Sequence, residues 1–249
     1  MVKRLPLGFH FAFFLSLLAG GAYAASSPSE LKHLVGLFES RYRSARGLEA
    51  TFLERYTENG RLVRLEAGTA YFRRPGKMRW EYESPEKNLF LVDGKMAWFY
   101  VPADHTVTRV PAKESSDWRT PLALLAGEMK VSSVCSRVEL STEEKPESPD
   151  HAILYCALRG APRPEPSNAK GNTSRQSSAE GETVFFEIAR DNGELVRVIV
   201  RDPGGVGIEF HFANWRMDPP VAASMFQFEP PVGVAIVNGE LPVANNLVK

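Results

Sequence analysis

The side chains able to perform chemistry in this sequence do not assemble into a familiar catalytic motif. The chain contains no G-x-S-x-G, H-E-x-x-H or G-x-x-x-x-G-K-[ST] pattern, the signatures of a nucleophile elbow, a zinc peptidase and a P-loop. Four histidines (His33, His105, His151 and His211) do not stand at metal-ligand spacing from one another. These observations favour a binding protein over an enzyme, and we expect no cofactor and no metal site.

Two weaker patterns have simple structural interpretations. Glu81 and Glu83 lie two residues apart on a predicted strand, where with Arg79 they are expected to form a solvated charged face. The glycine-rich stretch 204–207 precedes a strand and does not open a helix, so it predicts a turn and not a phosphate cradle. An enzyme therefore remains the least favoured alternative.

The densest constellation lies between Arg73 and Gly94. Met78, Trp80 and Tyr82 alternate there with charged residues, so they share one face of a predicted strand. That face would serve equally well as an ordinary β-sheet core or as the lining of an apolar ligand cavity. Periodicity alone favours the ordinary core.

The N-terminus has the pattern of a cleavable export signal. Lys3 and Arg4 precede an apolar run from Phe9 to Leu18, and Ala22-Tyr23-Ala24 offers a small-x-small cleavage site. The run is shorter than the roughly 20 residues of a membrane-spanning helix. We therefore predict a signal peptide over 1–24 and a mature protein that is released without a lipid anchor, because the first cysteine is Cys135.

The remaining chain, 25–249, is predicted to form a single domain. Acidic and basic residues balance at 30 each, which gives no basic surface for nucleic acid. Residues 161–181 are rich in Pro, Ser, Asn and Gly and predict a flexible surface insertion. Cys135 and Cys156 would form a disulfide in an oxidising compartment, although two buried free thiols remain an alternative.

Hydrophobic periodicity predicts a mainly β fold with two helices. Ser27 and Glu30 form a capping box for a helix whose apolar face repeats at helical spacing, and Gly47 follows its end. After Gly47 the period becomes two, as expected for about 11 short antiparallel strands. One of these strands is predicted at 131–140, and a further extended piece is predicted at 225–228. A short apolar helix is predicted at 122–126. A long sheet with few helices indicates one curved layer whose helices cover one face.

Several motifs together resemble the periplasmic outer-membrane lipoprotein carrier family, LolA. They are R-P-G-K-x-R-W-x-Y-x-x-P at 74–85, D-G-K-x-x-W-x-Y-x-P at 93–102 and F-x-F-x-P-P-x-G at 226–233, with the two helices in the matching order. The resemblance implies an unclosed, strongly curved antiparallel sheet, a half-barrel, covered by helical lids. It also implies a periplasmic carrier that shields the acyl chains of lipoproteins and takes them from an inner-membrane transporter to an outer-membrane receptor lipoprotein.

The resemblance also assigns roles to particular residues. The acyl-chain cavity would be lined from the sheet and from the short helix, by Phe52, Met78, Trp80, Tyr82, Phe90, Leu122, Leu124 and Leu125. Arg74 matches the family arginine that holds the lid closed, and we expect it to bond the backbone at the end of helix 122–126. The insertion 161–181 and the two cysteines depart from the family pattern. The carrier is expected to be a monomer, and the alternative function is a lipid-binding sensor or adaptor of the envelope.

Overall fold

A computed structural model describes residues 28–115, 122–159, 182–239 and 241. The predicted signal peptide (1–24) and the predicted insertion (161–181) lie outside these residues. The helices are α1 (Pro28–Arg43), α2 (Ala123–Ala126) and α3 (Val131–Val134), with 3₁₀ turns at Pro102–Asp104 and Ala223–Phe226. The strands are β1 (Gly47–Glu58), β2 (Arg61–Arg73), β3 (Lys77–Ser84), β4 (Leu89–Val92), β5 (Met96–Val101), β6 (Thr106–Pro111), β7 (Cys135–Leu140), β8 (His151–Leu158), β9 (Thr183–Ala189), β10 (Leu195–Arg201), β11 (Val206–Met217) and β12 (Ala235–Asn238).

All twelve described strands form one open sheet. Their order is β12-β6-β5-β4-β3-β2-β1-β11-β10-β9-β8-β7, so β12 and β7 are its two edges. Neighbouring strands are antiparallel except for β12, which pairs with β6 in parallel. The predicted fold class, a single unclosed sheet of about 11 strands with helical covers, is confirmed. The parallel edge strand was not predicted.

The sheet curves strongly around one face. Trp80 on β3 and Phe210 on β11 are three strand positions apart, or roughly 14 Å at the usual strand spacing. Their ring centroids are nevertheless only 5.2 Å apart. Side chains that lean together over such a distance define a concave face, and the main hydrophobic core lies on it.

Tight backbone contacts in β2 leave no room for a side chain at Gly68. A Cβ atom at this position would lie 1.9 Å from the carbonyl oxygen of Glu81 in β3. The β2–β3 register also shifts between Ala67 and Gly68. Irregularities of this kind increase the local bend of a strand, and this one lies in the middle of the curved region.

Helix α1 covers the β9–β11 side of the concave face. Its apolar stripe packs Phe38 against Phe186, with ring centroids 5.9 Å apart, and Tyr42 against Trp215, 5.1 Å apart. The turn before β10 approaches α1 so closely that a Cβ on Gly193 would lie 2.5 Å from the Leu37 backbone. Gly193 also has φ of 71°, so glycine is required there for two independent reasons.

Two predicted extended segments have different structures. The predicted strand 131–140 begins as helix α3, because the first amide of the helix, at Val131, is bonded by the Glu39 carboxylate of α1. The predicted extended piece 225–228 instead begins inside the 3₁₀ turn Ala223–Phe226. At Val131, a contact with another element therefore decides the local conformation.

The predicted disulfide is present. Cys135 and Cys156 are bonded, with Cα atoms 5.3 Å apart. The bond joins edge strand β7 to β8 on the buried side of the sheet. Among the described residues, no helix is both long and apolar enough to span a membrane.

Candidate functional site: a helix-covered apolar trough

The structure brings all the predicted cavity residues into one buried cluster. This cluster fills the concave face of β1–β4 beneath helices α1 and α2, and we call this part of the molecule the trough. None of the predicted side chains is more than 6% exposed. The residues are Phe52, Met78, Trp80, Tyr82 and Phe90 from the sheet, and Leu122, Leu124 and Leu125 from the segment of α2.

Aromatic rings form the floor of the trough. The Trp80 ring lies 4.9 Å from Phe52, 5.8 Å from Phe72 and 5.2 Å from Phe210, measured between centroids. Beside them the cross-strand pair of β1 and β2 is Ala50 with Ala70. Large aromatic rings beside these small alanines give an uneven apolar surface, to which flexible methylene chains can conform.

Strand β4 is apolar on both faces, and the structure shows why. Phe90 and Val92 point into the trough. Leu91 instead belongs to a separate cluster on the convex face, where Trp98 and Phe228 pack over it. The sequence could not distinguish the two faces because both are covered.

We expected the Arg74 side chain to bond the end of α2, but this prediction is wrong. The side chain bonds the end of α1 instead. Its Nη1 donates to the carbonyl oxygens of Arg43 (2.7 Å) and Ala45, and its Nη2 donates to that of Tyr42 (3.0 Å). A helix leaves its last carbonyls without intrahelical partners, and the planar guanidinium can reach several of them at once. Arg74 lies close to the end of α1 because β1 starts directly after α1 and pairs with the end of β2, next to Arg74.

The same turn also forms a hydrogen bond with the end of α2, but the donor is a backbone amide and not the Arg74 side chain. The amide of Gly76 donates to the carbonyl oxygen of Ala126 at 2.8 Å. The R-P-G turn at 74–76 therefore contacts both helices that cover the trough. Sequence reasoning found the turn but assigned its arginine to the wrong helix.

A third contact joins the helices to each other. The Glu39 carboxylate on α1 accepts a hydrogen bond from the Val131 amide at the start of α3 (2.8 Å), and its other oxygen accepts one from Arg43 (2.7 Å). No sequence signal identified Glu39, because helical spacing places it away from the apolar face of α1. Helices α1 and α3 are thus coupled by one side chain.

Burial affects the ionisation of the groups around the end of α1. It lowers the pKa of the Arg74 guanidinium, an effect that the Asp218 carboxylate opposes. Burial likewise raises the pKa of the Tyr42 hydroxyl, which accepts a hydrogen bond from the Leu195 amide at 2.9 Å. Both groups keep their ordinary charge at neutral pH. Arg74 is therefore a cation that donates to carbonyl oxygens, and Tyr42 is a neutral phenol.

The motifs at 93–102 and 226–233 meet on the convex face. Asp93 accepts hydrogen bonds from the Lys95 and Met96 amides and from the Trp98 indole (3.1 Å), which fixes the β4–β5 turn. The Phe228 ring lies 5.5 Å from Trp98 and 5.6 Å from Tyr100. The C-terminal segment 218–239, which we call the strap, is seated there. These two motifs are therefore structural partners.

Nothing in the described ranges resembles a metal centre, since no group of three or more His, Cys, Asp or Glu side chains is arranged to hold an ion. The histidines of the described residues are not part of the buried cluster that fills the trough. On the convex face of the sheet, His151 contacts Glu187 and His211 contacts Glu209. What the site offers chemically is an apolar surface beneath helices α1 and α2.

Comparisons with known proteins confirm the resemblance that the motifs predicted. The family model described as outer membrane lipoprotein carrier protein LolA matches residues 43–148. A protein of Methylococcus capsulatus named outer-membrane lipoprotein carrier protein is 28% identical over 231 residues, 92% of this chain and 97% of that protein. One of the same name from Nitrosospira multiformis is 27% identical over 207 residues, 82% of this chain and 88% of that protein. The crystal structure of LolA superfamily protein NE2245 from Nitrosomonas europaea aligns over 80% of this chain and 97% of that one, with a TM-score of 0.43 and 8% identity.

Proposed function

We propose that this chain, a relative of the outer-membrane lipoprotein carrier proteins, is a periplasmic carrier that shields the acyl chains of lipoproteins in the trough. It would accept them from a transporter of the inner membrane and deliver them to a receptor lipoprotein of the outer membrane. The relatives' shared name and the LolA family match support the carrier role. The route and the two membrane partners are the finer part of the proposal.

The observation that carries the proposal is the way in which the trough is covered. Leu122, Leu124 and Leu125 are at most 1% exposed and occupy the trough beside Trp80 and Phe90. Acyl methylenes could take the place of these leucines with little change in apolar contact. Cargo would therefore exchange with the α2 segment and not with an empty space.

The energetics require such a shield. Each methylene exposed to water costs about 0.8 kcal/mol, so a lipid anchor with two or three acyl chains cannot cross an aqueous compartment unshielded. The carrier must also release its cargo. A cover that competes with the cargo supplies a driving force for release, because closing the helices reburies their leucines.

The hydrogen bonds around the R-P-G turn set the balance between the two states. Opening α1 breaks up to three charge-assisted bonds from Arg74, and opening α2 breaks the bond from Gly76 to Ala126. Hydrogen bonds to charged groups contribute about 1.5–3 kcal/mol each. This is enough to oppose cargo binding without preventing it, as a carrier requires.

The proposal is tested by isolating the protein from its native envelope and identifying co-purifying molecules by mass spectrometry. We expect acylated proteins, and we expect the purified carrier to extract an acylated lipoprotein from membrane vesicles. The matched control is the same cargo with its lipid-bearing cysteine replaced, which should stay unbound. A single partner bound independently of acylation would instead support a sensor or adaptor, and the carrier proposal would be rejected.

A further inference from the structure

The open sheet ends in strands β12 and β7. Strand β12 is four residues long, and very short edge strands discourage pairing with other chains. Strand β7 has six residues and, among the described strands, pairs with β8 alone. Its other side presents backbone N–H and C=O groups to which a further strand can be added. Strand β7 is thus the edge at which the described sheet can be extended.

The hydrogen bonds between β7 and β8 determine which backbone groups of β7 face outwards. Ser141, directly after β7, donates to the Ile153 carbonyl at 2.8 Å. Bonds between two antiparallel strands recur at every second residue, so Glu139 also bonds β8. Val138 and Leu140 therefore direct their amides and carbonyls away from β8, towards the open edge.

The edge is held in place before any partner arrives. The disulfide between Cys135 and Cys156 ties the first residue of β7 to β8. On the concave side, Val138 and Leu140 pack against the main core. A segment that is already ordered loses less conformational entropy when it binds. Strand β7 is in this sense a preorganised template for another strand.

Arg137 and Glu139 project from the convex side of this edge. Their side chains are 60% and 54% exposed, and they form an ion pair of 3.3 Å within the strand. The Arg137 guanidinium also lies 5.3 Å from the centroid of the Tyr155 ring, which packs in a convex-face cluster. A guanidinium has five N–H donors, so Arg137 can bond a second strand while it keeps these contacts.

The side chains of β7 complement a second copy of the same strand. A two-fold axis perpendicular to the sheet at Val138 pairs the two strands antiparallel, with each Val138 opposite the other. Arg137 then lies opposite Glu139 of the second copy, and the symmetry repeats this pair. Opposite charges in such positions are favourable. The two Val138 residues can also exchange backbone hydrogen bonds, because their amides and carbonyls face the edge.

The neighbouring registers do not fit. The axis must pass through one residue of β7, because residues that are opposite each other in a sheet share a face. An axis at Arg137 would place two arginines opposite each other, and an axis at Glu139 would do the same with two glutamates. Like charges in these positions are unfavourable. The charges therefore select the register that is centred on Val138.

We propose that two copies of this chain form a two-fold dimer in which their β7 strands pair antiparallel about Val138. The two sheets would join into one, with both concave faces on the same side. The contact is made by β7 and not by the trough, so the inference goes beyond the carrier function and does not depend on it. It replaces the expectation of a monomer.

Sedimentation equilibrium of the purified exported protein, without cargo, measures the association. The interface is small, so we expect a weak dimer, with a dissociation constant of about 100 µM or lower. The Val138 and Leu140 amides should be protected from hydrogen exchange above this concentration and exchange rapidly well below it. A protein that sediments as a monomer even at about 1 mM would overturn the proposal.

Charge reversals test the register. Arg137→Glu places glutamates opposite each other at two positions, and Glu139→Arg does the same with arginines. Each should weaken the dimer by about tenfold or more. The double variant, Arg137→Glu with Glu139→Arg, restores both opposite-charge pairs and should associate like the parent protein. An equal mixture of the two single variants should form heterodimers, because each supplies the charges that the other lacks. Recovery in both cases supports the register.

Arg216→Glu is the matched control. Arg216 is 59% exposed and pairs with Glu49 across two strands inside the sheet, so the same charge change there should leave association unchanged. A dimer that this control weakens as much as Arg137→Glu depends on net charge, and one that neither β7 reversal weakens uses another surface. Either result would overturn this interface.

Other occupants of the edge give a different signature. Protection of the Val138 and Leu140 amides at every concentration would mean that another part of the chain, such as 161–181, covers β7. That result would also overturn the proposal. The carrier function would stand in each case, because cargo extraction is measured separately.

Discussion

Arg74 and Gly76, two residues apart in one turn, bond the ends of two different helices. The Arg74 side chain bonds the last carbonyls of α1, whereas the Gly76 amide bonds the last carbonyl of α2. Any shift of this turn therefore weakens the attachment of both covers together. A partner that moves this one turn would therefore loosen both helices, although the two helices are about 80 residues apart in sequence.

We predict that Arg74→Leu keeps the fold but retains cargo and fails at transfer. Without the guanidinium, the carbonyl of Tyr42 keeps the Ala45 amide (3.3 Å) but loses its charged donor, as does the carbonyl of Ala45, and α1 no longer competes well with acyl chains. Because the three bonds share one partly exposed guanidinium, their contributions do not add in full, and the loss of unfolding free energy should be about 1–3 kcal/mol. Transfer of a radiolabelled lipoprotein between carrier and receptor is the measurement.

Arg74→Lys is the matched control for that variant. Lysine keeps the charge but cannot span the carbonyls with a planar fork, so partial retention of transfer is expected. If Arg74→Leu hands over cargo at the normal rate, the arginine has no part in the mechanism. Hydrogen exchange of the α1 amides should increase in Arg74→Leu whatever the transfer result.

A second prediction concerns acid stability. The nearby His211 ring, whose Nε2 lies 3.6 Å from the carboxylate, and then the contacts of Arg201 and Arg197 lower the pKa of Glu209 to about 2. A carboxylate with a lowered pKa stabilises the fold above its unfolded pKa of about 4.5, and this contribution disappears as the pH falls towards 2. We expect up to about 3 kcal/mol of unfolding free energy to be lost over that range.

Urea unfolding at pH 7 and at pH 3 measures this effect. Glu209→Gln should be less stable than the parent protein at pH 7 and should lose less stability on acidification. The exposed carboxylate Glu128, which pairs with Lys130 across two residues of the same loop, supplies the control Glu128→Gln. Equal acid sensitivity of all three proteins would contradict the assignment.

Much of the trough could be predicted because its signals are local. Alternation along β1 and β3 identifies the buried side of Phe52 and Trp80, and glycine-containing turns separate the strands. The turn that contains Arg74 could likewise be predicted, but the helix that Arg74 bonds could not. Two helices end near the same turn, and sequence periodicity does not reveal which of them lies closer.

Other elements were missed for the opposite reason, since long-range contacts create them. The segment of α3, V-S-S-V, has poor helix propensity, and its helical turn is supported by Glu39 from about 90 residues earlier. Strand β12 is exposed at every position, so it has no buried side to detect.

The disulfide gives a third prediction. Cys135 and Cys156 are 21 residues apart in sequence, and closing a loop of that size should contribute about 3 kcal/mol. Cys135→Ser with Cys156→Ser should lose that much stability. Because β7 is an edge strand, its amides should exchange first, whereas those of β1–β3 should be little changed. Exchange measured by NMR distinguishes this local effect from a uniform loss.

The last prediction separates the strap from the trough. Phe228 fills the convex-face cluster over Trp98 and Tyr100, so Phe228→Ala should cost about 1–3 kcal/mol, less than a fully buried phenylalanine because its ring is only partly covered. The Ala235–Asn238 strand should then exchange its amides faster. The trough, on the other face of the sheet, should bind acyl ligands with unchanged affinity.

Phe52→Ala is the matched comparison on the concave face. It removes the same ring from the floor of the trough, where Phe52 contacts Trp80 and Tyr82, and should weaken acyl binding while leaving exchange of β12 unchanged. Opposite responses of the two variants are expected because the sheet separates their clusters. If Phe228→Ala weakens acyl binding as much as Phe52→Ala does, the strap supports the trough through the sheet, and the two faces do not act independently.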